Sequence, residues 1–117
     1  MSLTHIDWER EGVLVLSFTG RMTLGEGTRL LRKLIADALE AGRKDILLNL
    51  GEVFYIDSSV LGELIAAHKA VARQDGRLKL AKLTARTQEL MQLTKLHTVF
   101  EIYDNEDAAV RSFHTTR

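Results

Sequence analysis

Short apolar segments alternate with longer segments whose apolar residues recur at helical spacing, and this alternation limits the possible folds more than any other feature. The apolar segments predict strands and the periodic segments predict helices. The predicted strands cover residues 12–19, 45–50, 77–82 and 99–103, and the predicted helices lie between Thr23 and Gly42, from about Ser58 to Arg73, between Thr84 and Thr94, and from Glu106 to Phe113. Strands separated by helices are joined by right-handed crossovers and pair in parallel. The pattern therefore predicts an α/β fold with a mainly parallel sheet.

A hairpin at the start adds one antiparallel strand. Residues 4–9 show a short alternation at Ile6 and Trp8, and Glu11-Gly12 offers the turn that pairs them with the next strand. The sheet then has about five strands, accompanied by about four helices. Because 117 residues fit one folding unit, we predict a single domain over residues 1–117.

The first helix has signals at both ends. Thr23 and Glu26 have the spacing of a capping box, and Gly42 lies where helices commonly end in a left-handed residue. Gly25 and Gly27 each weaken the first turn by roughly 1 kcal/mol relative to alanine. We therefore expect an irregular first turn.

Composition excludes several classes of protein. Sixteen Lys and Arg residues balance sixteen Asp and Glu residues, so no excess positive charge is available to bind nucleic acid or anionic lipid. The absence of cysteine excludes disulfides, thiol nucleophiles and thiolate metal sites, and it fits a reducing cytosol. No apolar run exceeds four residues, and the first residues lack the apolar core of a signal peptide. We predict a cytoplasmic domain without direct nucleic-acid binding or membrane insertion.

The remaining polar residues give no pattern of an enzyme or a metal site. The four histidines lack metal-ligand spacing, and His68 falls on the apolar stripe of the second helix, where packing explains it better. No serine lies in a Gly-x-Ser-x-Gly elbow, and residues 25–27 lack the rest of a phosphate loop. We therefore predict no metal, no cofactor and no enzymatic activity.

Two groups of charged residues are assigned to helix surfaces. The acidic group compensates the dipole of the last helix, and the basic group forms a solvated face, with partner docking as the alternative. The acidic group is Asp104, Glu106 and Asp107, and the basic group is Arg29, Arg32, Lys33, Arg43 and Lys44.

One segment is not explained by packing alone. After the apolar residues 53–56, Asp57-Ser58-Ser59 stands directly before a helical pattern. Asp and Ser are favoured N-caps, but only one of the three residues can occupy the cap. In the functional interpretation, one hydroxyl is exposed beside the helix N-terminus, where a phosphate would meet unpaired N–H groups and the positive end of the helix dipole. A phosphoserine there would add about −1.5 to −2 charges to a neutral domain.

The residues around this segment resemble a known family. Tyr55–Gly62 is similar to the pattern aromatic, apolar, Asp-Ser-(Ser/Thr)-Gly-Leu-Gly that begins the second helix of STAS-domain anti-sigma factor antagonists. The order of elements, the apolar strand 46–50 and the turn at Gly76 also match, so the resemblance covers nearly the whole chain.

The resemblance implies a protein-binding switch. Family members bind an anti-sigma factor that is also a serine kinase, and thereby free a sigma factor for transcription. The kinase phosphorylates the first serine after the aspartate, which corresponds to Ser58, and a metal-dependent serine phosphatase reverses the modification. The implied partner-binding residues are Asp57, Ser58, Ser59, Val60, Arg21 and Thr23.

Two positions depart from the family pattern. Val60 replaces a glycine, so we expect it to hinder close approach of a partner to the backbone. Gly20-Arg21-Met22-Thr23 replaces a Gly-Glu-apolar-Asp loop that lies beside the phosphoacceptor in the family. These changes indicate a changed partner or a changed response to phosphorylation. The alternative hypothesis is a constitutive STAS subunit of a signalling or lipid-transport assembly, without a phospho-switch.

Overall fold

A computed structural model describes residues 3–115 of the chain, so the predicted domain limits at residues 1 and 117 lie outside this range. Strands and helices alternate through most of it. The strands are β1 (Thr4–Arg10), β2 (Val13–Met22), β3 (Asp45–Ile56), β4 (Arg77–Ala81) and β5 (Ile102–Tyr103), and the helices are α1 (Glu26–Glu40), α2 (Ser58–Arg73), α3 (Ala85–Leu93) and α4 (Glu106–Ser112), with a 3₁₀ turn at Leu96–Thr98.

The five strands form one sheet in sequence order, β1-β2-β3-β4-β5. β1 pairs with β2 in an antiparallel hairpin, whereas β2, β3, β4 and β5 run parallel. When successive crossover connections have the same handedness and each leads to the next strand in the same direction, their helices lie on the same face of the sheet. The observed strand order and elements confirm the predicted α/β fold, its mainly parallel five-stranded sheet and its four helices.

Each face of the sheet has its own apolar core. The larger core lies under α1, α2 and α3 and includes Phe18 and Leu48 from the sheet, Leu31 from α1 and Leu64 from α2. α4 covers the opposite face, where Val110 and neighbouring residues pack on the strands. Residues 46–50 are buried because β3 is the central strand, with β2 and β4 as neighbours.

The start of α1 is irregular as expected, but the predicted capping box is wrong. Gly25, with φ +95°, occupies the N-cap, and its N–H donates to Thr28 Oγ1 at 3.1 Å. Thr23 contributes only its carbonyl, which accepts from the Gly27 N–H at 2.8 Å. The start of α1 packs very closely on the end of β2, since a methyl group on Gly27 would lie 3.0 Å from the Met22 backbone. Gly42, with φ +80°, follows the helix end as predicted.

The strands differ in length from the prediction, most strongly at β3 and β5, while β2 runs to Met22, three residues beyond its predicted end. β3 continues to Ile56, six residues beyond the predicted end, because the end of β2 pairs with it through two register shifts. β5 is shorter than 99–103, because the 3₁₀ turn at 96–98 carries Phe100 into the larger core before pairing with β4 begins.

Candidate functional site

Asp57 organises the junction between β3 and α2. Its backbone is extended, and its Oδ1 accepts a hydrogen bond from the Val60 N–H at 3.1 Å, so Asp57 is the N-cap among the three polar residues. Its Oδ2 accepts from the Leu24 N–H at 3.0 Å. The backbone N–H of Asp57 donates to the Met22 carbonyl at 3.3 Å. One aspartate therefore fixes both the start of α2 and the loop between β2 and α1.

Ser58 is the first residue of α2 and is exposed. The predicted hydroxyl therefore lies in the first helical turn rather than in the loop before it. Among residues 3–115, its side chain has no hydrogen-bond partner. Ser59, beside it, is half-buried. Because Asp57 supplies the cap, the Ser58 hydroxyl is not needed to stabilise the helix and is available to react or to bind.

A cleft of about 520 Å³ separates the start of α2 from α3. Its apolar and charged walls carry one large exposed apolar side chain, Leu93, with an exposed fraction of 75%. Leu24, in the loop tied to Asp57, is 71% exposed. The cleft and the loop tied to Asp57 therefore each present one exposed leucine. The cleft is lined by Tyr55, Ile56, Asp57, Ser58, Arg86, Glu89, Leu90 and Leu93.

Two arginines contact the aromatic ring of Tyr55. The Arg21 Cζ lies 4.4 Å from the ring centroid and the Arg86 Cζ lies 5.0 Å from it, within the range of cation–π interactions. Arg21 reaches the ring because it pairs with Tyr55 in the sheet register, whereas Arg86 comes from the first turn of α3. Neither guanidinium has a carboxylate within 4.0 Å in the part of the chain described here. Two positive charges therefore remain unneutralised by direct ion pairs beside Tyr55.

The structure brings most of the predicted site residues together. Asp57 and Ser58 line the cleft, Arg21 reaches its edge through Tyr55, and Thr23 lies half-buried in the loop tied to Asp57. The prediction that Val60 binds a partner is wrong, because its side chain is fully buried in the larger core. It faces the start of α1, where its Cγ2 would lie 3.3 Å from a methyl group on Gly27.

Sequence reasoning missed the contribution of α3 to this site. Arg86, Glu89 and Leu93 line the cleft at spacings of three and four residues, which place them on one helical face. Thr84 caps α3 as predicted, through a hydrogen bond from the Thr87 N–H to its Oγ1 at 3.2 Å. The helical spacing of these three residues could be read from the sequence, whereas the cleft that they line could not.

The acidic residues of α4 do more than compensate a helix dipole. Glu106 accepts hydrogen bonds from Arg10 Nη1 at 2.8 Å, Asn49 Nδ2 at 3.0 Å and Trp8 Nε1 at 3.3 Å, and Asp107 pairs with Arg10 at 2.7 Å. Arg10 holds the pKa of the Asp107 carboxyl below its usual value, mainly through this hydrogen bond. These contacts anchor α4 to the sheet.

The other predicted polar residues have structural roles. His68 packs edge-on against Phe100 at 5.2 Å, as expected for a packed residue. The basic face of α1 remains solvated: Arg32 pairs with Glu63 and Lys33 with Asp37, and both cations stay exposed. Within residues 3–115, no group of three or more His, Asp or Glu side chains is arranged to hold a metal ion, and no helix is long and apolar enough to cross a membrane.

Comparisons with known proteins identify relatives of this chain. A sequence model described as the STAS domain matches residues 8–109. The anti-sigma-B factor antagonist of Bacillus subtilis is 32% identical over 81 residues, which are 69% of this chain and 73% of that protein. The anti-sigma F factor antagonist of Paenibacillus polymyxa is 24% identical, over 81% of each chain.

Solved structures agree with this match. The crystal structure of the Thermotoga maritima protein TM1081 superposes with a TM-score of 0.88 at 24% identity over 95% of each chain. The anti-sigma factor antagonist SpoIIAA gives 0.73 in its unphosphorylated form, at 15% identity over 98% of this chain and 100% of SpoIIAA. Its phosphorylated form, from Bacillus, also gives 0.73, at 17% identity over 94% and 99%. At these identities the structures support the fold alone. Because the family model spans most of the sequence, this chain belongs to the STAS domain family.

Proposed function

We propose that this chain is an anti-sigma factor antagonist, which binds an anti-sigma factor through the surface around Ser58 and is released when Ser58 is phosphorylated. The observation that carries the proposal is the position of Ser58: exposed on the first turn of α2, with the helix cap supplied by Asp57. In this proposal the anti-sigma factor is the serine kinase, and a metal-dependent phosphatase restores the unmodified form. The relatives named as antagonists of anti-sigma-B and anti-sigma F support this assignment.

The surface chemistry explains why a phosphate would end binding. The unmodified surface combines the exposed Leu24 and Leu93 with a neutral hydroxyl, and a partner desolvates such a surface at low cost. A phosphate is costly to desolvate and places a second anion beside the Asp57 carboxylate. Weakening a complex a thousandfold requires about 4 kcal/mol, which a buried dianion without a matched partner supplies.

The scaffold is compatible with modification at this site. A phosphate on an exposed residue of the first helical turn lies near the positive end of the helix dipole, which tolerates negative charge. SpoIIAA resembles this chain equally, with a TM-score of 0.73, in its phosphorylated and unphosphorylated forms. We therefore propose that phosphorylation changes the surface and leaves the fold intact.

We also propose that the domain has no catalytic activity of its own. A serine nucleophile needs a base within hydrogen-bond reach. In the described chain, no His or carboxylate side chain is hydrogen-bonded to the Ser58 hydroxyl. The hydroxyl is thus proposed as the substrate of another enzyme.

The test has two arms. The wild-type chain, Ser58→Ala and Ser59→Ala are incubated with each kinase-type anti-sigma factor of the source organism and ATP, and the products are mapped by mass spectrometry. We expect one phosphate at position 58 in the wild type and in Ser59→Ala, and none in Ser58→Ala. In the second arm, calorimetry compares anti-sigma factor binding by the unmodified chain and by a chain carrying phosphoserine at position 58. We expect about a thousandfold weaker binding by the modified chain, and equal affinities would refute the switch.

A second function is supported by one observation, the replacement of the family's acidic loop. Arg21 stacks on Tyr55 where the family pattern has a carboxylate, so this part of the surface carries a positive charge in place of a negative one. A constitutive interaction subunit of a signalling or lipid-transport assembly would use the same surface without phosphorylation. Affinity capture that recovers membrane-transport subunits and no kinase, with binding unchanged by phosphoserine, would favour this function.

A further inference from the structure

We propose that Arg86 holds the phosphoryl group of phosphorylated Ser58 within the chain itself, in the cleft between α2 and α3. This inference rests on the proposed function, because it describes the regulated form of the same site. It concerns how the phosphate is accommodated after it has been attached, and it requires no bond to be made or broken.

The first support is placement. Arg86 and Ser58 line the same cleft, Ser58 from the first turn of α2 and Arg86 from the first turn of α3. The Arg86 guanidinium lies over Tyr55, which comes three residues before Ser58 and lines the same cleft. The cleft, of about 520 Å³, is large enough to admit a phosphate and the arginine side chain together.

The second support is that Arg86 is not committed elsewhere. Its one side-chain interaction within residues 3–115 is the ring contact at 5.0 Å, and no carboxylate lies within 4.0 Å of it. A cation–π contact at an exposed site is weak, whereas a guanidinium binds phosphate through two parallel hydrogen bonds. Arg86 therefore loses little by turning from the ring to the phosphate.

The charges around the cleft determine which residue has this role. Asp57 and Glu89 line it and oppose a phosphate, so an unassisted dianion would be repelled from both sides. Arg21 contacts the same ring but does not line the cleft. Arg86 is therefore the cation placed to offset this repulsion, and Arg21 provides a matched control.

This arrangement has a consequence for regulation. Once Arg86 binds the phosphate it bridges α2 and α3, and it no longer offers its positive charge to a partner. Phosphorylation then changes the surface twice, by adding a dianion and by withdrawing a cation.

The test measures the phosphate directly and does not depend on any kinase. Phosphoserine is incorporated at position 58 of the full chain by genetic encoding, in the wild-type background and with Arg86→Gln, Arg86→Lys or Arg21→Gln. The second pKa of the phosphate is measured in each by ³¹P NMR titration. The helix dipole and Asp57 act equally in all four proteins, so differences among them report the arginines.

We expect Arg86→Gln to raise the phosphate pKa by about 1, with an intermediate value for Arg86→Lys and a smaller rise for Arg21→Gln. A pKa that is the same in Arg86→Gln and the wild type would overturn the proposal, and so would a larger rise in Arg21→Gln than in Arg86→Gln. Circular dichroism of each variant establishes that it is folded. Anti-sigma factor binding by the same four proteins is scored separately: if phosphoserine leaves that binding unchanged, the proposed function fails even where the pKa result stands.

Discussion

The Asp57 carboxylate accepts a hydrogen bond from the Leu24 N–H at 3.0 Å, across 33 positions of sequence, while its other oxygen caps α2. The loop that carries the exposed Leu24 and the helix that carries Ser58 are thereby held by one side chain. The geometry of the proposed partner surface depends on this residue even though its carboxylate is occupied within the chain.

We expect Asp57→Ala to lower the free energy of unfolding by about 2 kcal/mol, because it removes a helix cap and a loop hydrogen bond together. Asp57→Asn should lose about half as much, since its amide oxygen can still accept from Val60 while its amide nitrogen cannot accept from Leu24. Urea denaturation measures both changes. Asp104→Ala, an exposed aspartate outside the site, serves as control and should be near neutral.

Hydrogen exchange separates the two roles of Asp57. The Leu24 amide should exchange faster in both Asp57 variants, whereas the Val60 amide should exchange faster only in Asp57→Ala. Unchanged protection of the Leu24 amide would show that the loop is held by other contacts.

Glu106 provides a second test, at the opposite face of the sheet. Glu106→Ala removes the acceptor of three donors and leaves Asn49, which is buried, without a partner for its amide nitrogen. We expect the free energy of unfolding to fall by about 2–3 kcal/mol, because a buried donor without a partner is not compensated for the loss of its hydrogen bonds to water. Urea denaturation followed by the fluorescence of Trp8, the single tryptophan, measures it. Asp107→Asn is the control and should lower the free energy of unfolding much less, since Asp107 is 69% exposed. Equal losses in the two variants would show that the hydrogen bond between Asn49 and Glu106 does not stabilise the protein.

Local signals in the sequence were sufficient where the structure uses local hydrogen bonds. The starts of α2 and α3 were predicted because each depends on a cap within three residues, Asp57 to Val60 and Thr84 to Thr87. The start of α1 was misassigned although its hydrogen bond is equally local, from the Gly25 N–H to Thr28 Oγ1, because Gly25 and not Thr23 occupies the N-cap. The sequence also does not show that Gly27 lies against the backbone of Met22, where an added methyl group would be only 3.0 Å away.

The candidate site divides in the same way. The exposure of Ser58 follows from its place after a capping aspartate, so the sequence predicted it. The contact of Arg86 with Tyr55 joins residues 31 positions apart through the packing of α3 beside β3, and no spacing rule indicates it. The burial of Val60 was equally hidden, because it depends on how α2 lies against the start of α1.

Two glycines should respond in opposite directions to replacement by alanine. A methyl group on Gly76 would clash with the Lys44 carbonyl and lie 2.9 Å from Val71 Cγ1, so we expect Gly76→Ala to cost about 1–3 kcal/mol. Gly62 lies within α2, and a methyl group added there would have no neighbouring atom within 4 Å. Because alanine has the higher helix propensity, Gly62→Ala should raise the free energy of unfolding by about 0.5–1 kcal/mol. Thermal and urea unfolding measure both. A destabilised Gly62→Ala would mean that α2 has a close neighbour at this position.

The pH dependence of stability provides the last test, through Glu101. The hydrogen bond from Tyr103, at 2.8 Å, and the ammonium of the buried Lys79, at 3.2 Å, hold the pKa of this carboxyl below its ordinary value of 4.5. The stabilisation is therefore fully present above pH 4.5 and is lost as the pH falls through the folded-state pKa. Because Glu101 is 62% exposed, we expect only about 0.5 kcal/mol. Urea denaturation between pH 6 and pH 3 should show that the free energy of unfolding declines less for Glu101→Gln than for the wild type. Glu52→Gln, at an exposed position, is the control. Parallel declines for Glu101→Gln and the wild type would contradict the assignment.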